Sequence, residues 1–230
     1  FSVLEFSYSG TVWMDNIKIS GKPKTESLSV LADWNLDDNE VPSGATFAKE
    51  GNGRISNGRM EASARNDRPM LTYAFDASDY EKIVIEYDSN IGYGWDGMFQ
   101  RCSAFFSGDL VYTYNSGWTD VYKIGSNVKD KHAELHRRIS STNTVELVDY
   151  AAGIEDETSE VVYRFRVEIT DGATKFSAKR KDNGETLFDL KYENSEIALA
   201  DFERFYFSVL EFSYSGTVWM DNIKISGLQR

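Results

Sequence analysis

Cysteine, histidine and proline are scarce in this chain, with one, two and three residues respectively among 230. The single cysteine, Cys102, excludes an internal disulfide and any cysteine-rich metal site. It stands in the apolar run MFQRCSAFF, where a free thiol reads as a small buried core residue. The histidines, His132 and His136, stand four apart in HAELH. That string lacks the H-E-x-x-H order that sets a general base beside the first metal ligand, so a polar solvated stretch is the better reading. A Gly-x-Ser-x-Gly elbow, a phosphate-cradling glycine loop and an N-glycosylation sequon are missing too. So are an apolar run of membrane-spanning length and a secretory leader. Positive charge is short: 25 Lys and Arg against 37 Asp and Glu leave a net charge of −12. Nucleic-acid phosphates and anionic membrane surfaces would be repelled, so neither is an expected partner. A neutral partner or a cation fits better, and an acidic surface also favours solubility.

What is abundant is strand-forming and aromatic sequence. Aromatics make up 14% and hydrophobics 41% of the chain, enough for a substantial core. VVYRFRVEIT alternates Tyr163, Phe165, Val167 and Ile169 with Arg164, Arg166 and Glu168, the period of a half-buried strand. KIVIEYD (82–88), LVYTYN (110–115) and TVELVDY (144–150) read similarly. Asn57–Gly58 and Asn183–Gly184 are type I′ turn signals, because both central residues of that turn need positive φ. Helical signal is confined to KDKHAELHRRI and NSEIALADF, at two or three turns each. Many short strands with closely spaced turns predict an all-β chain folded as an antiparallel β-sandwich of jelly-roll type.

The chain also repeats itself. FSVLEFSYSGTVWMDNIKISG occupies Phe1 to Gly21 and recurs without change from Phe207 to Gly227, an offset of 207 − 1 = 206 positions. That spacing is domain-sized and far beyond a solenoid unit. The simplest account is a tandem array. Residues 1–21 then close a preceding identical module, 22–27 form a polar linker, 28–227 form a complete module, and 228–230 begin the next linker. On this account the chain is an excerpt of a longer polypeptide; an engineered duplication or permutation is the rival. The block itself reads as a β-hairpin turned at Ser-Gly. One fold has one place for it, so the first copy is expected to dock on the body or to add to a neighbouring chain, a strand-swapped self-association.

VWMDNIKISG resembles the last strand of extracellular β-jelly-roll carbohydrate-binding modules, which end in a hydrophobic-Asp-Asn/Asp-Ile/Val pattern. LADWNLDDNEVPSGATF, followed by GNGRISNGRMEAS, is similar to the opening of concanavalin-like and laminin-G-like sandwiches. The resemblance implies a structural calcium tying the first and last strands. Its ligands would be Asp37 or Asp38 with Asp221, and Asp15 in the first copy. Calcium takes six to eight oxygens, some of them backbone carbonyls. The plainer alternative is an Asp221 carboxylate satisfied by backbone N–H groups at a bulge.

A second constellation lies in NIGYGWDGMFQR and LVYTYNSGWTDVYK, where Tyr93, Trp95, Tyr112, Tyr114, Trp118 and Tyr122 fall within 30 residues. Aromatic faces stack on the C–H faces of sugars, and Asp96, Gln100, Arg101, Asn115 and Asp120 are the polar groups available for hydroxyls. Core packing is the alternative role for Tyr112 and Tyr114. Glu86 and Asp88, two apart in VIEYDSN, are the one paired-carboxylate arrangement for glycoside hydrolysis, and a charged solvent face explains them as well. The E-x-D-x-x-E run of glycoside hydrolases built on this sandwich is absent. The expectation is therefore non-catalytic binding of a neutral polysaccharide or oligosaccharide within an extracellular multimodular protein. A structural or adhesive repeat is second, and a glycoside hydrolase or lyase third.

Overall fold

Tyr163, Phe165, Val167 and Ile169 point inward from one strand with at most 2% exposure, and the residues between them are half-exposed. That alternation recurs across the chain. The computed structural model describes residues 27–64, 66–90, 100–107, 124–129, 132–139, 144–152, 161–194, 198–211 and 217–230. Its strands are β1 (Ser29–Trp34), β2 (Ala45–Glu50), β3 (Arg54–Ser56), β4 (Arg59–Ala62), β5 (Arg68–Ala74), β6 (Tyr80–Ser89), β7 (Gln100–Ser107) and β8 (Ile124–Lys129). They continue with β9 (His132–Ile139), β10 (Thr144–Ala152), β11 (Tyr163–Thr170), β12 (Ala173–Arg180), β13 (Thr186–Glu193), β14 (Arg204–Glu211) and β15 (Val218–Gln229).

These strands form two antiparallel sheets. The first runs β13-β12-β11-β6-β15-β4-β3, with β1 also paired to β15; the second runs β10-β9-β8-β7-β14-β5-β2. Between them lies one core. Tyr87 stacks on Phe165 at 5.1 Å, Phe176 meets Phe188 at 4.9 Å, and Trp34 packs edge-on against Tyr73 and Phe207 at 5.5 and 6.1 Å. Burying a large side chain of this kind contributes about 2–3 kcal/mol, and the Trp34 contacts cross from the first sheet to the second. The all-β antiparallel sandwich expected from the sequence is the fold observed.

Three local expectations are corrected. HAELH is not helical: it lies in β9, with Ala133 and Leu135 fully buried. A spacing of four is an even number, so the HAELH pattern suits the period of a strand as readily as that of a helix. NSEIALADF supplies, among the described residues, only the 3-10 turn Leu199–Asp201. The 207–227 block is not a hairpin either. Its first strand, β14, lies between β7 and β5 in the second sheet, and its last, β15, lies in the first sheet between β6 and β4 or β1. The block arches from one sheet to the other. The first copy, residues 1–21, falls outside the described residues.

The turns follow their residues. Asn57 and Gly58 both take positive φ (55° and 70°) and join β3 to β4 as expected for type I′. At 183–184 only Gly184 does so (φ 75°). That hairpin has a longer loop, closed by Gly184 N–H to Arg180 O at 3.0 Å and Arg180 N–H to Glu185 O at 2.9 Å. Among the described residues no helix is long and apolar enough to cross a membrane.

Candidate functional site

Strand β15 is where the sequence placed its acidic ligand, and the strand is irregular there. Its pairing with β6 slips between Asp221 and Lys224, and Asn222 is left-handed (φ 49°). The same point is where its other neighbour changes. Val218 to Met220 pair with β4, whereas Ile223 onward pairs with β1. The bulge thus lets one strand serve two partners and aims Asp221 and Asn222 outward together.

Asp221 lies directly across from Asp88 of β6. Asp88 is 1% exposed, and its charge is well compensated. Arg164 of β11 grips both its oxygens, Lys181 donates to Oδ2 at 2.7 Å and Asn222 Nδ2 at 3.1 Å. Asp221 is less well served. Its Oδ2 accepts from Asn222 Nδ2 at 2.9 Å, but its Oδ1 is buried without a hydrogen-bond partner. Burial, together with the negative charges of Asp37 and Asp88, pushes the Asp221 carboxyl up from 3.8 to about 6, against opposing help from Asn222 and Lys181.

Asp37 reaches this site from the turn after β1, where Leu36 and Asn39 are both left-handed (φ 53° and 61°). Its Oδ2 accepts from Asn35 Nδ2 at 2.8 Å, and Asn39 Oδ1 accepts from Gly58 N–H at 2.9 Å, locking the turn to the β3–β4 hairpin. Asp38 does not join. Its Oδ1 accepts the Glu40 N–H at 3.1 Å, which commits it to its own turn. Of the three residues expected to hold calcium, the structure therefore associates Asp37 with Asp221. Two carboxylates and one amide fall short of the six to eight oxygens calcium takes. Among the described residues no group of three or more His, Cys, Asp or Glu side chains is arranged to hold a metal ion. Among the described residues here, the orphaned Asp221 oxygen is the feature that suits a cation.

The Glu86–Asp88 pair is explained by charge pairing. Arg166 binds Glu86 at 2.9 Å and Glu168 at 2.8 Å, as Arg164 binds Asp88. The same outer face carries Glu61, 3% exposed and bonded by Arg54, Arg59, Ser56 and Asn57. Burial alone would raise Glu61, but the hydrogen bonds from Ser56, Arg59, Arg54 and Asn57 outweigh it and hold the carboxyl below its usual value. Arg59 in turn lies over the Trp219 ring at 5.2 Å.

Of the aromatic constellation, Tyr93, Trp95, Asp96, Tyr114, Asn115, Trp118 and Asp120 lie outside the described residues, as do Tyr112 and Tyr122. Gln100 and Arg101 open β7, opposite Glu211 and Leu210 of β14. The points from which the aromatic segments depart are described. Segment 91–99 leaves the end of β6 and enters β7 at Gln100; segment 108–123 leaves β7 at Ser107 and enters β8 at Ile124. These points are opposite ends of an eight-residue strand, roughly 23 Å apart at about 3.3 Å per residue. The first departure point is rigid. Asn90 Nδ2 donates to Thr217 O at 2.7 Å, its Oδ1 accepts the Trp219 N–H at 3.0 Å, and Ser89 Oγ donates to Trp219 O at 2.5 Å.

With the geometry described, the chain compares as follows. It superposes on the CBM2 module of the Lactobacillus casei BL23 phage J-1 evolved Dit with a TM-score of 0.62 and 10% identity, over 88% of this chain and 97% of that one. The fold is the β-sandwich of such modules. The VIP36 exoplasmic/lumenal domain in its Ca2+/Man3GlcNAc-bound form gives a TM-score of 0.63 at 7% identity, covering 88% and 91%. The metal-free Emp46p carbohydrate recognition domain gives 0.60 at 11%, covering 87% and 96%. No family model matches the chain, and no curated protein matches it in sequence.

Proposed function

We propose that this chain is a non-catalytic carbohydrate-binding module of an extracellular, tandemly built protein. The observation that carries the reading is the likeness of the sandwich, over 85–88% of this chain, to domains solved with mannose-containing ligands. The aromatic segments support it. Trp95 and Tyr93 stand in one and Trp118 and Tyr114 in the other. Because these segments depart from opposite ends of β7, the suited ligand is an extended glycan spanning several rings. Asp96, Gln100, Arg101, Asn115 and Asp120 are the polar groups available for its hydroxyls. The finer part of the proposal is a bound cation, for which Asp221 and Asp37 would be the side-chain ligands and whose charge would offset their mutual repulsion.

Titrating soluble mannans, xylans and glucans while following tryptophan fluorescence tests the reading. The expected result is saturable quenching with at least one polymer, lost in Trp95→Ala and Trp118→Ala with far-UV circular dichroism unchanged. Silence across all three polymer classes would refute it. The structural or adhesive repeat is kept as a second reading because a 21-residue identity at domain spacing is what a repetitive filament would carry. Weak modules acting together by avidity give a sugar-binding array the same reason to repeat.

A further inference from the structure

We propose that the place of Phe207–Gly227 in the sandwich is one that Phe1–Gly21 of the same chain can also fill, so the chain carries a spare copy of its own closing strands. This does not depend on the carbohydrate reading. Every side chain that the block buries is duplicated. Met220 and Ile225, both fully buried, correspond to Met14 and Ile19. Gly227 corresponds to Gly21, and that position is tight: a Cβ on Gly227 would lie 2.3 Å from the Tyr80 ring and 3.2 Å from Leu31.

The slot is single. In the structure β14 is flanked on both sides by β7 and β5, and β15 by β6 and by β4 or β1. A second block therefore enters only by replacing the first occupant. The chain path permits this in cis. Ser29 at the start of β1 pairs with Gly227 at the end of the block. The matching glycine of the first copy, Gly21, precedes Ser29 with only residues 22–28 between. Cross-strand partners sit about 5 Å apart, so those residues close a hairpin with slack. The strand that β1 now meets from the far end of the chain would then be its immediate predecessor.

Flanking residues decide which copy is seated. The second copy is preceded by Phe205 and Tyr206, both buried, and followed by Leu228, also buried. It is followed as well by Arg230, which donates to Tyr80 O at 3.1 Å and to Asp171 at 2.8 Å. The first copy has Lys22 where Leu228 stands. The second copy is accordingly the preferred occupant, and the first takes over when the second is damaged.

The test uses the full chain with Ile19→Asp, Ile225→Asp, or both. Ile19→Asp should melt as the unmodified chain does. Ile225→Asp should keep a cooperative transition at a lower temperature, and only the double variant should lose it. Met220→Asp evicts the same strand at another point and is held to the same outcomes. Occupancy is read by oxidative cross-linking of Asp33→Cys with Lys18→Cys, the counterpart of its present cross-strand partner Lys224, in an Ile225→Asp, Cys102→Ala background, where a link within one chain is expected. Three results would overturn the proposal: loss of the transition in Ile225→Asp alone, a retained transition without the cross-link, or a link found only between two chains.

Discussion

Asp221 is held in its charged form against an unfavourable field, and removing that charge should stabilise the protein at neutral pH. Its carboxyl sits at about 6 in the folded chain against 3.8 for the ordinary side chain, chiefly through burial. The folded state therefore keeps a proton that the unfolded chain releases. Stability falls as pH rises from about 4 to about 6 and is level above that, the reverse of the usual carboxylate behaviour. Carried over that interval at about 1.4 kcal/mol per pH unit, the full difference is about 3 kcal/mol. Asp221 is only half-buried, and solvent screening reduces the figure to roughly 1–2 kcal/mol. Asp221→Asn keeps an acceptor for the Asn222 amide and removes the charge facing Asp37 and Asp88. In calcium-chelated buffer at pH 7 it should raise the melting temperature by about 2–5 °C for a domain of this size. The gain should shrink to a small remainder by pH 4 and vanish near pH 3, where the Asp221 of both states is protonated. Urea or thermal melts of the two chains at pH 4, 5, 6 and 7, compared as differences, isolate this group from other carboxylates. A variant no more stable than the parent at pH 7, or a gain that does not shrink on acidification, would refute the reasoning. Calcium added at pH 7 should stabilise the parent and leave Asp221→Asn unmoved.

Asp67, 1% exposed, accepts the N–H groups of Asn52, Ser63 and Ala64 at 2.7, 3.2 and 2.8 Å. Asp67→Asn keeps one acceptor for two groups of donors and should cost about 2–3 kcal/mol in urea denaturation; an unchanged midpoint would show that these loops are held otherwise. Gly227→Ala forces a methyl against the Tyr80 ring and should cost about 1–3 kcal/mol by overpacking. Combining it with Tyr80→Ala should recover part of that loss, and a purely additive double variant would place the strain elsewhere.

The parts of the fold legible in the sequence are those decided within one strand or one turn. Period-two alternation located β11 because its inner face needs only to be apolar, whatever it packs against. Asn57–Gly58 declared its turn because positive φ is a property of those two residues alone. Partners were not legible. Glu86 and Asp88 look like a reactive pair until Arg164 and Arg166, 76 and 80 residues away, are brought beside them. Likewise nothing local says that β14 and β15 belong to different sheets. The nearest hint is that β14 is apolar on both faces, with Phe205, Tyr206 and Phe207 all buried, whereas β15 alternates up to its bulge. Asp221 was legible as an acidic residue in an apolar strand, but the charge set against it, Asp88, was read only as part of the other pair.

Strand β15 connects these observations. Among the described strands it alone pairs with β1, with β6 and with β4, and its bulge is the device that makes three pairings geometrically compatible. Its start is clamped to Ser89 and Asn90, the residues from which segment 91–99 departs. The poorly compensated Asp221 lies two residues from that clamp. A cation or proton that settles Asp221 would therefore firm the strand carrying the clamp. On the proposed function, glycan affinity through Trp95 is expected to weaken in Asn90→Ala, where both clamp bonds of that side chain are lost while the aromatic residues remain. Equal affinity in that variant, measured by the same fluorescence titration, would separate the acidic site from the binding segment.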